Sequence, residues 1–224
     1  MVPTPLIALI CATPLSLPPI LRELAAEFAT ARPWTILDDR LLAEAEDRGG
    51  LTAELEARMR RLVDHAVMEG ADGIVLTCSM YSDVARRARP DIGVPIFGPD
   101  DAAFAAVLDS GSLNIAVVAN SQLAADDAAQ RLGEEARRRG VHPAIAPVFA
   151  SGALEASKAG DAEELGRLVA RAVQALPSPV DSVVLAQYSL ASAAEEVGAV
   201  LDLPVYSGPA YAVAALKVAI AGSA

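Results

Sequence analysis

The sequence predicts an α/β fold in which two similar lobes each contain a short parallel sheet flanked by helices. Short β-branched apolar runs alternate along the chain with longer helical patterns, as expected of repeated βα units. The apolar runs are mostly continuous rather than alternating, which is typical of strands covered on both faces. Several segments also recur at a constant step of 109 residues, which indicates an internal duplication.

The eight strand candidates are short and apolar. They are Leu6–Cys11, Thr35–Asp38, Gly73–Thr77, Val94–Phe97, Asn114–Ala119, Ala144–Val148, Ser182–Ala186 and Leu203–Tyr206. The clearest helix spans Leu51–Glu69, where apolar residues recur on one face. Asp100 and Asp101 are typical of acids at a helix N-terminus. The proline-rich segment after the first strand is expected to form a loop.

The repeat step relates the two halves of the chain at several points. It carries Ala71–Leu76 onto Val180–Leu185 and Val94–Phe97 onto Leu203–Tyr206. It also carries the first strand, Ile7–Ile10, onto Ala116–Ala119, and the helix start at Leu51 onto Gly160. We therefore expect one lobe over residues 1–110 and another over 111–224, related by a pseudo-twofold axis. The C-terminal segment of the first lobe is allowed to cross over to the second.

Composition excludes several classes of protein. The 224 residues carry 18 Lys and Arg against 29 Asp and Glu, a formal charge of −11. With no basic cluster, this charge disfavours binding to nucleic acid or to anionic membranes. Two cysteines are too few for a disulfide scaffold, and two histidines without a CxxC or HExxH motif predict no metal site.

The apolar stretch from Leu6 to Leu21 resembles a signal peptide, but no basic residue precedes it and prolines interrupt it. No run of 18 apolar residues exists, so no transmembrane helix is expected. We expect a soluble cytoplasmic protein with reduced thiols, and the apolar composition favours a homo-oligomer. The chain lacks nucleotide-binding glycine motifs and a histidine placed as a base. Neither Lys158 nor Lys217 follows a strand, which disfavours a pyridoxal phosphate site.

Polar residues directly after the apolar strands define the candidate site, since ligands of parallel sheets bind at the carboxyl ends of strands. We expect these ends to line a cleft between the lobes. Cys78 is the candidate catalytic residue, and a helix beginning soon after it would lower its pKa. Cys11 also lies near a strand end but fits within its apolar run. The candidate substrate-binding residues are Thr13, Thr77, Ser79, Asn120, Ser121, Gln187, Tyr188 and Ser189. The alternative for the hydroxyl groups among them is capping of the helix that follows.

Two motifs resemble a known family. Gly70–Ser79 is similar to the first cysteine motif of the Asp/Glu/hydantoin racemase superfamily. Val180–Ser189, followed by Leu203–Tyr206, resembles its second cysteine motif and the next strand. The resemblance covers nearly the whole chain and implies a cofactor-independent enzyme acting on a small carboxylate. The superfamily contains amino-acid and hydantoin racemases, maleate isomerases and arylmalonate decarboxylases. The resemblance implies that Cys78 is one of two opposed thiols that exchange protons with a substrate between the lobes.

The sequence departs from this pattern at the second thiol, because the repeat step carries Cys78 onto Gln187. An amide has no useful pKa, but it can hydrogen-bond a carboxylate or carbonyl. Three hypotheses follow. A racemase or isomerase, which we favour, would need a second acid from Tyr188, Cys11 or water. A decarboxylase needs only one thiol, although the arylmalonate decarboxylases carry theirs in the second lobe. A non-catalytic homologue would bind carboxylates without turnover.

Overall fold

A computed structural model describes residues 4–222 and shows two four-stranded parallel sheets flanked by helices. The first sheet has the strand order β2-β1-β3-β4 and the second β6-β5-β7-β8. The strands of the first sheet are β1 Leu6–Cys11, β2 Arg32–Leu37, β3 Gly73–Leu76 and β4 Ile96–Phe97. Those of the second are β5 Asn114–Ala119, β6 Ala144–Phe149, β7 Ser182–Leu185 and β8 Val205–Ser207. The predicted α/β fold is confirmed, and every predicted strand overlaps an observed one.

Ten α-helices connect the strands over the described residues. They are α1 Leu17–Glu27, α2 Arg40–Asp47, α3 Ala53–Met68, α4 Ser82–Ala88, α5 Asp101–Asp109, α6 Gln122–Arg138, α7 Ala153–Ala159, α8 Ala162–Gln174, α9 Ala194–Leu201 and α10 Gly208–Gly222. Short 3-10 turns follow β1, β3 and β7, at Pro14–Ser16, Ser79–Tyr81 and Tyr188–Ala193. No helix within residues 4–222 is long and apolar enough to cross a membrane.

Helix α1 occupies the segment that the sequence predicted as a loop. The prolines that motivated the loop, Pro18 and Pro19, lie in the first turn of this helix. Proline is tolerated there because the first N–H groups of a helix have no intrahelical acceptor. Buried Ile20 and Leu24 then provide the apolar face that keeps the helix on the protein.

The chain forms two compact units. The first contains the residues up to Ala102 together with those from Ala212 onward, and the second is Ala103–Tyr211. The division expected from the sequence, at residues 110 and 111, assigns the C-terminal segment to the second lobe, whereas the structure groups this segment with the first unit. Gly73 explains this packing, since a Cβ atom there would lie 2.5 Å from Cδ1 of Leu216 in α10. The missing side chain lets the end of α10 lie directly against β3.

Two separate cores cover the second sheet. Ala116, Val118, Val183 and Leu185 face α7, α8 and α9. On the other face, Ile115, Val117 and Val184 pack with residues of α5 and α6. The alternation of neighbouring residues between the two cores follows from the two-residue period of a strand. Burial on both faces accounts for the continuous apolar runs of the sequence.

A single aspartate ties the amino ends of the two central strands in each sheet. In the first sheet, Leu6 N donates to Asp72 Oδ2 at 2.7 Å, and Asp72 N donates to Leu6 O at 2.8 Å. In the second, Asp181 accepts from the amides of Leu113 and Asn114 at 2.8 and 2.9 Å. Partial burial acts to raise the pKa of Asp181, but these two N–H donors, together with hydrogen bonds from the side chains of Ser182 and Asn114, hold the pKa below its ordinary value.

The internal repeat holds, with one correction. β3 and β7 differ by 109 residues, as do the threonine and aspartate caps of α3 and α8, Thr52 and Asp161. However, Ile7 pairs with Gly73 whereas Ile115 pairs with Ser182, so β1 and β5 differ by 108. The predicted alignment of Ile7–Ile10 with Ala116–Ala119 was therefore wrong by one residue, because the segment joining the central strands is one residue longer in the second half.

Two helical glycines provide a test of the packing. A Cβ atom at Gly166 in α8 would lie 2.7 Å from Cβ of Glu196 in α9, whereas at Gly133 in α6 the nearest atom would be 3.6 Å away. We expect Gly166→Ala to lower the free energy of unfolding by about 1–3 kcal/mol through overpacking. Gly133→Ala should raise it by about 0.5–1 kcal/mol, because alanine favours a helix. Urea denaturation of both variants measures this, and equal effects would contradict the close approach of α8 and α9.

Candidate active site

Cys78 lies at the carboxyl end of β3, where the strand gives way to a 3-10 turn. It is the N-cap of that turn, with an extended backbone at φ −113° and ψ 120°. Its side chain is 8% exposed and belongs to the apolar cluster that α2, α3 and α4 form on one face of the first sheet. The predicted catalytic residue is therefore at a strand end, as expected, but largely shielded from water.

Burial raises the pKa of the Cys78 thiol to about 11, so the predicted lowering of its pKa was wrong. The backbone N–H of Met80 donates to the sulfur and acts in the opposite direction, but more weakly. The negative charges of Asp100 and Glu46 raise the pKa further. The expected helix N-terminus is absent because a three-residue 3-10 turn separates Cys78 from α4. Cys78 is thus a protonated thiol at neutral pH.

The turn that carries Cys78 is anchored by hydrogen bonds. The hydroxyl of Tyr81 donates to the carbonyl oxygen of Leu41 in α2 at 2.9 Å, and Tyr81 N donates to Cys78 O at 3.0 Å. The hydroxyl of Ser82 donates to the carbonyl oxygen of Ser79 at 2.7 Å. Burial raises the pKa of Tyr81, which keeps its hydroxyl as a donor. These bonds fix the backbone on which the thiol sits.

A network of buried hydroxyl groups joins the ends of β1 and β3. The hydroxyls of Ser16 and Thr77 lie 2.7 Å apart, and Ser16 Oγ also donates to Thr13 O at 2.9 Å. Thr77 Oγ1 donates to the carbonyl oxygen of Ile10 at 3.4 Å. Thr13 Oγ1 accepts from the amide of Leu15. The predicted binding residues Thr13 and Thr77 are therefore engaged within the protein, where they hold the two strand ends together.

Cys11 belongs to this network, and its electrostatic interaction with Cys78 also acts to raise the pKa of the Cys78 thiol. Burial raises its pKa, while hydrogen bonds with Thr77 and Ser16 act in the opposite direction. Because successive residues of a strand face opposite sides of a sheet, Cys11 lies on the face opposite Cys78. Cys11 is also fully buried. It is therefore poorly placed as the second acid.

Asp100 is a buried acidic residue at the same edge of the first sheet. Its importance was not recognised from the sequence. It is 1% exposed and follows β4. Phe97 in β4 pairs with Val75 in β3, so Asp100 and Cys78 both lie three residues beyond that pair. Asp101 lies in the first turn of α5, as expected of an acid at a helix N-terminus, and it also accepts from the amide of Gly98 at 3.0 Å. The signal that could have revealed Asp100 is its position directly after a strand that borders β3.

Gln187 holds the position in the second sheet that is equivalent to Cys78. It follows β7 and is the N-cap of a 3-10 turn, with φ −144° and ψ 138°. Its side-chain Oε1 accepts a hydrogen bond from the backbone N–H of Asn120 at 2.7 Å. Asn120 follows β5, the strand that pairs with β7. The structure thus brings two of the predicted binding residues, Asn120 and Gln187, into direct contact.

The remaining predicted binding residues differ in their roles. Ser121 is exposed and caps α6, with its hydroxyl accepting from the amide of Ala124 at 3.2 Å. Tyr188 is buried, and Ser189 is half-buried with its carbonyl oxygen bound by the hydroxyl of Ser157. Ser79 is half-buried beside Cys78. Capping therefore accounts for Ser121, whereas Ser79 and Ser189 lie within the 3-10 turns that follow β3 and β7.

Two other features do not contribute to these strand ends. Within residues 4–222, no three histidine, cysteine or acidic side chains are arranged to hold a metal ion. A cavity of about 350 Å³ in the second unit is lined by α6 and the start of β6, including Arg137 and His142. It lies at the amino end of that strand, away from Gln187.

Comparison with known proteins supports the predicted resemblance at the level of the fold. No protein-family model matches the chain, and no curated protein matches it by sequence. Glutamate racemase from Francisella tularensis is similar with a TM-score of 0.72 and 10% identity, over 98% of this chain and 82% of that one. Aspartate racemase from Picrophilus torridus has a TM-score of 0.71 and 11% identity, over 97% and 94%.

Arylmalonate decarboxylase is also similar, with a TM-score of 0.65 and 21% identity over 98% of this chain and 94% of that one. The structural likeness therefore extends over almost the whole chain and includes enzymes with two different chemistries. This chain has the fold shared by the glutamate and aspartate racemases and arylmalonate decarboxylase.

Proposed function

We propose that this protein is a cofactor-independent enzyme of the racemase and isomerase type, which transfers a proton at the carbon next to a carboxylate or carbonyl of a small acid. Cys78 is the proton-transfer group in this proposal. The observation that carries it is the Cys78 thiol at the carboxyl end of the central strand β3, on a turn held by Tyr81. The fold that it shares with racemases supports the same chemistry.

The protonation state of Cys78 determines what the thiol does first. With a pKa of about 11, the thiol is neutral at rest, so its small thiolate fraction is the base that removes the α-proton. The electron pair of the C–H bond forms an enolate, and the thiol formed in this step returns a proton to it. Proton transfer in both directions at one face exchanges the substrate proton with solvent, whereas inversion needs a second proton donor at the other face. Tyr188 and water are the candidates for that donor.

A decarboxylase is the second candidate function, and two observations favour it. Cys78 is protonated at rest, and Gln187, at the equivalent position, cannot exchange a proton. In this reaction the C–C bond to one carboxylate breaks and carbon dioxide leaves. The electron pair of that bond forms an enediolate, which takes the proton of the Cys78 thiol. Water then reprotonates the thiolate. One donor on one face gives a product of single handedness.

The high pKa of Cys78 is testable by alkylation. Only about one thiol in a thousand is ionised at pH 8 for a pKa near 11. In a Cys11→Ser variant, where Cys78 is the remaining cysteine, the rate of reaction with iodoacetamide should rise about tenfold per pH unit from pH 7 to 10. Cys78→Ser provides the background rate of Cys11. A plateau above pH 7 would show a thiolate of low pKa and contradict the buried acid.

Proton NMR in D₂O tests the catalytic role of Cys78. The panel contains amino acids, hydantoins, maleate and substituted malonates, and the samples are wild type, Cys78→Ala and Cys11→Ala. We expect wild type and Cys11→Ala to place deuterium at the α-carbon of one compound. Loss of the thiol should slow this about 10²–10⁴-fold, the usual contribution of a general acid or base. A racemic labelled product identifies a racemase, whereas loss of a carboxylate from a malonate with a labelled product of one handedness identifies the decarboxylase.

Equal deuteration by wild type and Cys78→Ala would overturn the assignment of Cys78. No reaction with any compound, together with carboxylate binding that survives alkylation of Cys78, would identify a non-catalytic binding protein instead.

A further inference from the structure

The side-chain amide of Gln187 has a defined orientation. Amide oxygen and nitrogen atoms are hard to distinguish by shape alone, so their assignment depends on their hydrogen-bond partners. Here the partner is the backbone N–H of Asn120, which can only donate. The atom that faces it at 2.7 Å must therefore be Oε1. The opposite end of the amide, Nε2, is consequently directed away from Asn120.

The Nε2 group of Gln187 has two N–H donors and no acceptor among the residues that the structure describes. Gln187 is half-buried, between buried Ala186 and buried Tyr188. Gln187 follows β7, and ligands of parallel sheets bind at the carboxyl ends of strands, so the position favours an acceptor from outside the protein. A glutamine free to rotate could present either end, but the bond to Asn120 holds the donor end outward.

We propose that Gln187 binds a carboxylate oxygen of the substrate through Nε2 and selects for substrates that present an acceptor at that point. This inference rests on the function proposed above. It specifies that the group of the acid substrate that faces Gln187 accepts hydrogen bonds and does not donate them. A neutral donor stabilises charge that develops on an oxygen without an ion pair. The main-chain N–H of Asn120 is the positioning group.

The substitution Gln187→Glu tests donation without removing the bond to Asn120. One carboxylate oxygen of Glu can still accept from the Asn120 amide, so the fold should be retained. The other oxygen replaces Nε2 and repels an anion. The control Gln174→Glu makes the same chemical change at an exposed residue at the end of α8. The probe is malonate, and binding is measured by isothermal titration calorimetry with thermal unfolding recorded in parallel.

We expect Gln187→Glu to weaken malonate binding tenfold or more, as for loss of a hydrogen bond to a charged group. Gln174→Glu should bind malonate as wild type does. The thermal midpoint of Gln187→Glu should remain within a few degrees of wild type. Equal affinities for wild type and Gln187→Glu, or no binding of malonate to wild type, would overturn the inference.

A second probe tests the polarity of the position. Malonamate, the half-amide of malonate, offers an N–H donor where malonate has only acceptors. Gln187→Glu should prefer malonamate over malonate, and wild type should prefer malonate. If these preferences hold but no compound of the NMR panel reacts, the proposed catalytic function fails while the binding role of Gln187 stands.

Discussion

The pairing of the two central strands in each sheet depends on an aspartate at their amino ends. The side chains of Asp72 and Asp181 each accept hydrogen bonds from main-chain N–H groups of the neighbouring strand. Their own main-chain N–H groups donate back to a carbonyl oxygen of that strand. This reciprocal bond sets which residues of the two strands lie side by side. A shift of one residue would turn every side chain to the other face. The aspartates at the amino ends of these strands therefore help to fix where Cys78 and Gln187 lie at the carboxyl ends.

Burial on both faces restricts where this fold can present polar chemistry. The interiors of the central strands β1, β3, β5 and β7 are buried and apolar, so thiol, hydroxyl and amide groups occur where these strands end. The same burial governs their behaviour. Cys78 is close enough to the apolar cluster of the first sheet that loss of water dominates its acidity, and a single N–H donor does not compensate. The position is suited to a group that gives up its proton only when a strong base forms beside it.

Patterns in the sequence were sufficient for the strands and for the equivalence of Cys78 and Gln187, because continuous apolar runs and a constant repeat step can be read directly from the order of residues along the chain. They were insufficient for α1, where Pro18 and Pro19 imitate a loop. They also could not reveal the acidity of Cys78 or the bond between Gln187 and Asn120. Those depend on groups that are distant in sequence, such as Asp100 in the first sheet and the end of β5 in the second.

The packing of the end of α10 on β3 affects the order in which the chain can fold during synthesis. The second unit is continuous in sequence, whereas the first needs residues from Ala212 onward to cover Gly73. Lys217 also binds the carbonyl oxygen of Glu27 from that segment. On the ribosome, where N-terminal parts generally fold first, the first half of this chain must therefore wait for the last helix. The second unit, although made later, is the first that can complete its core.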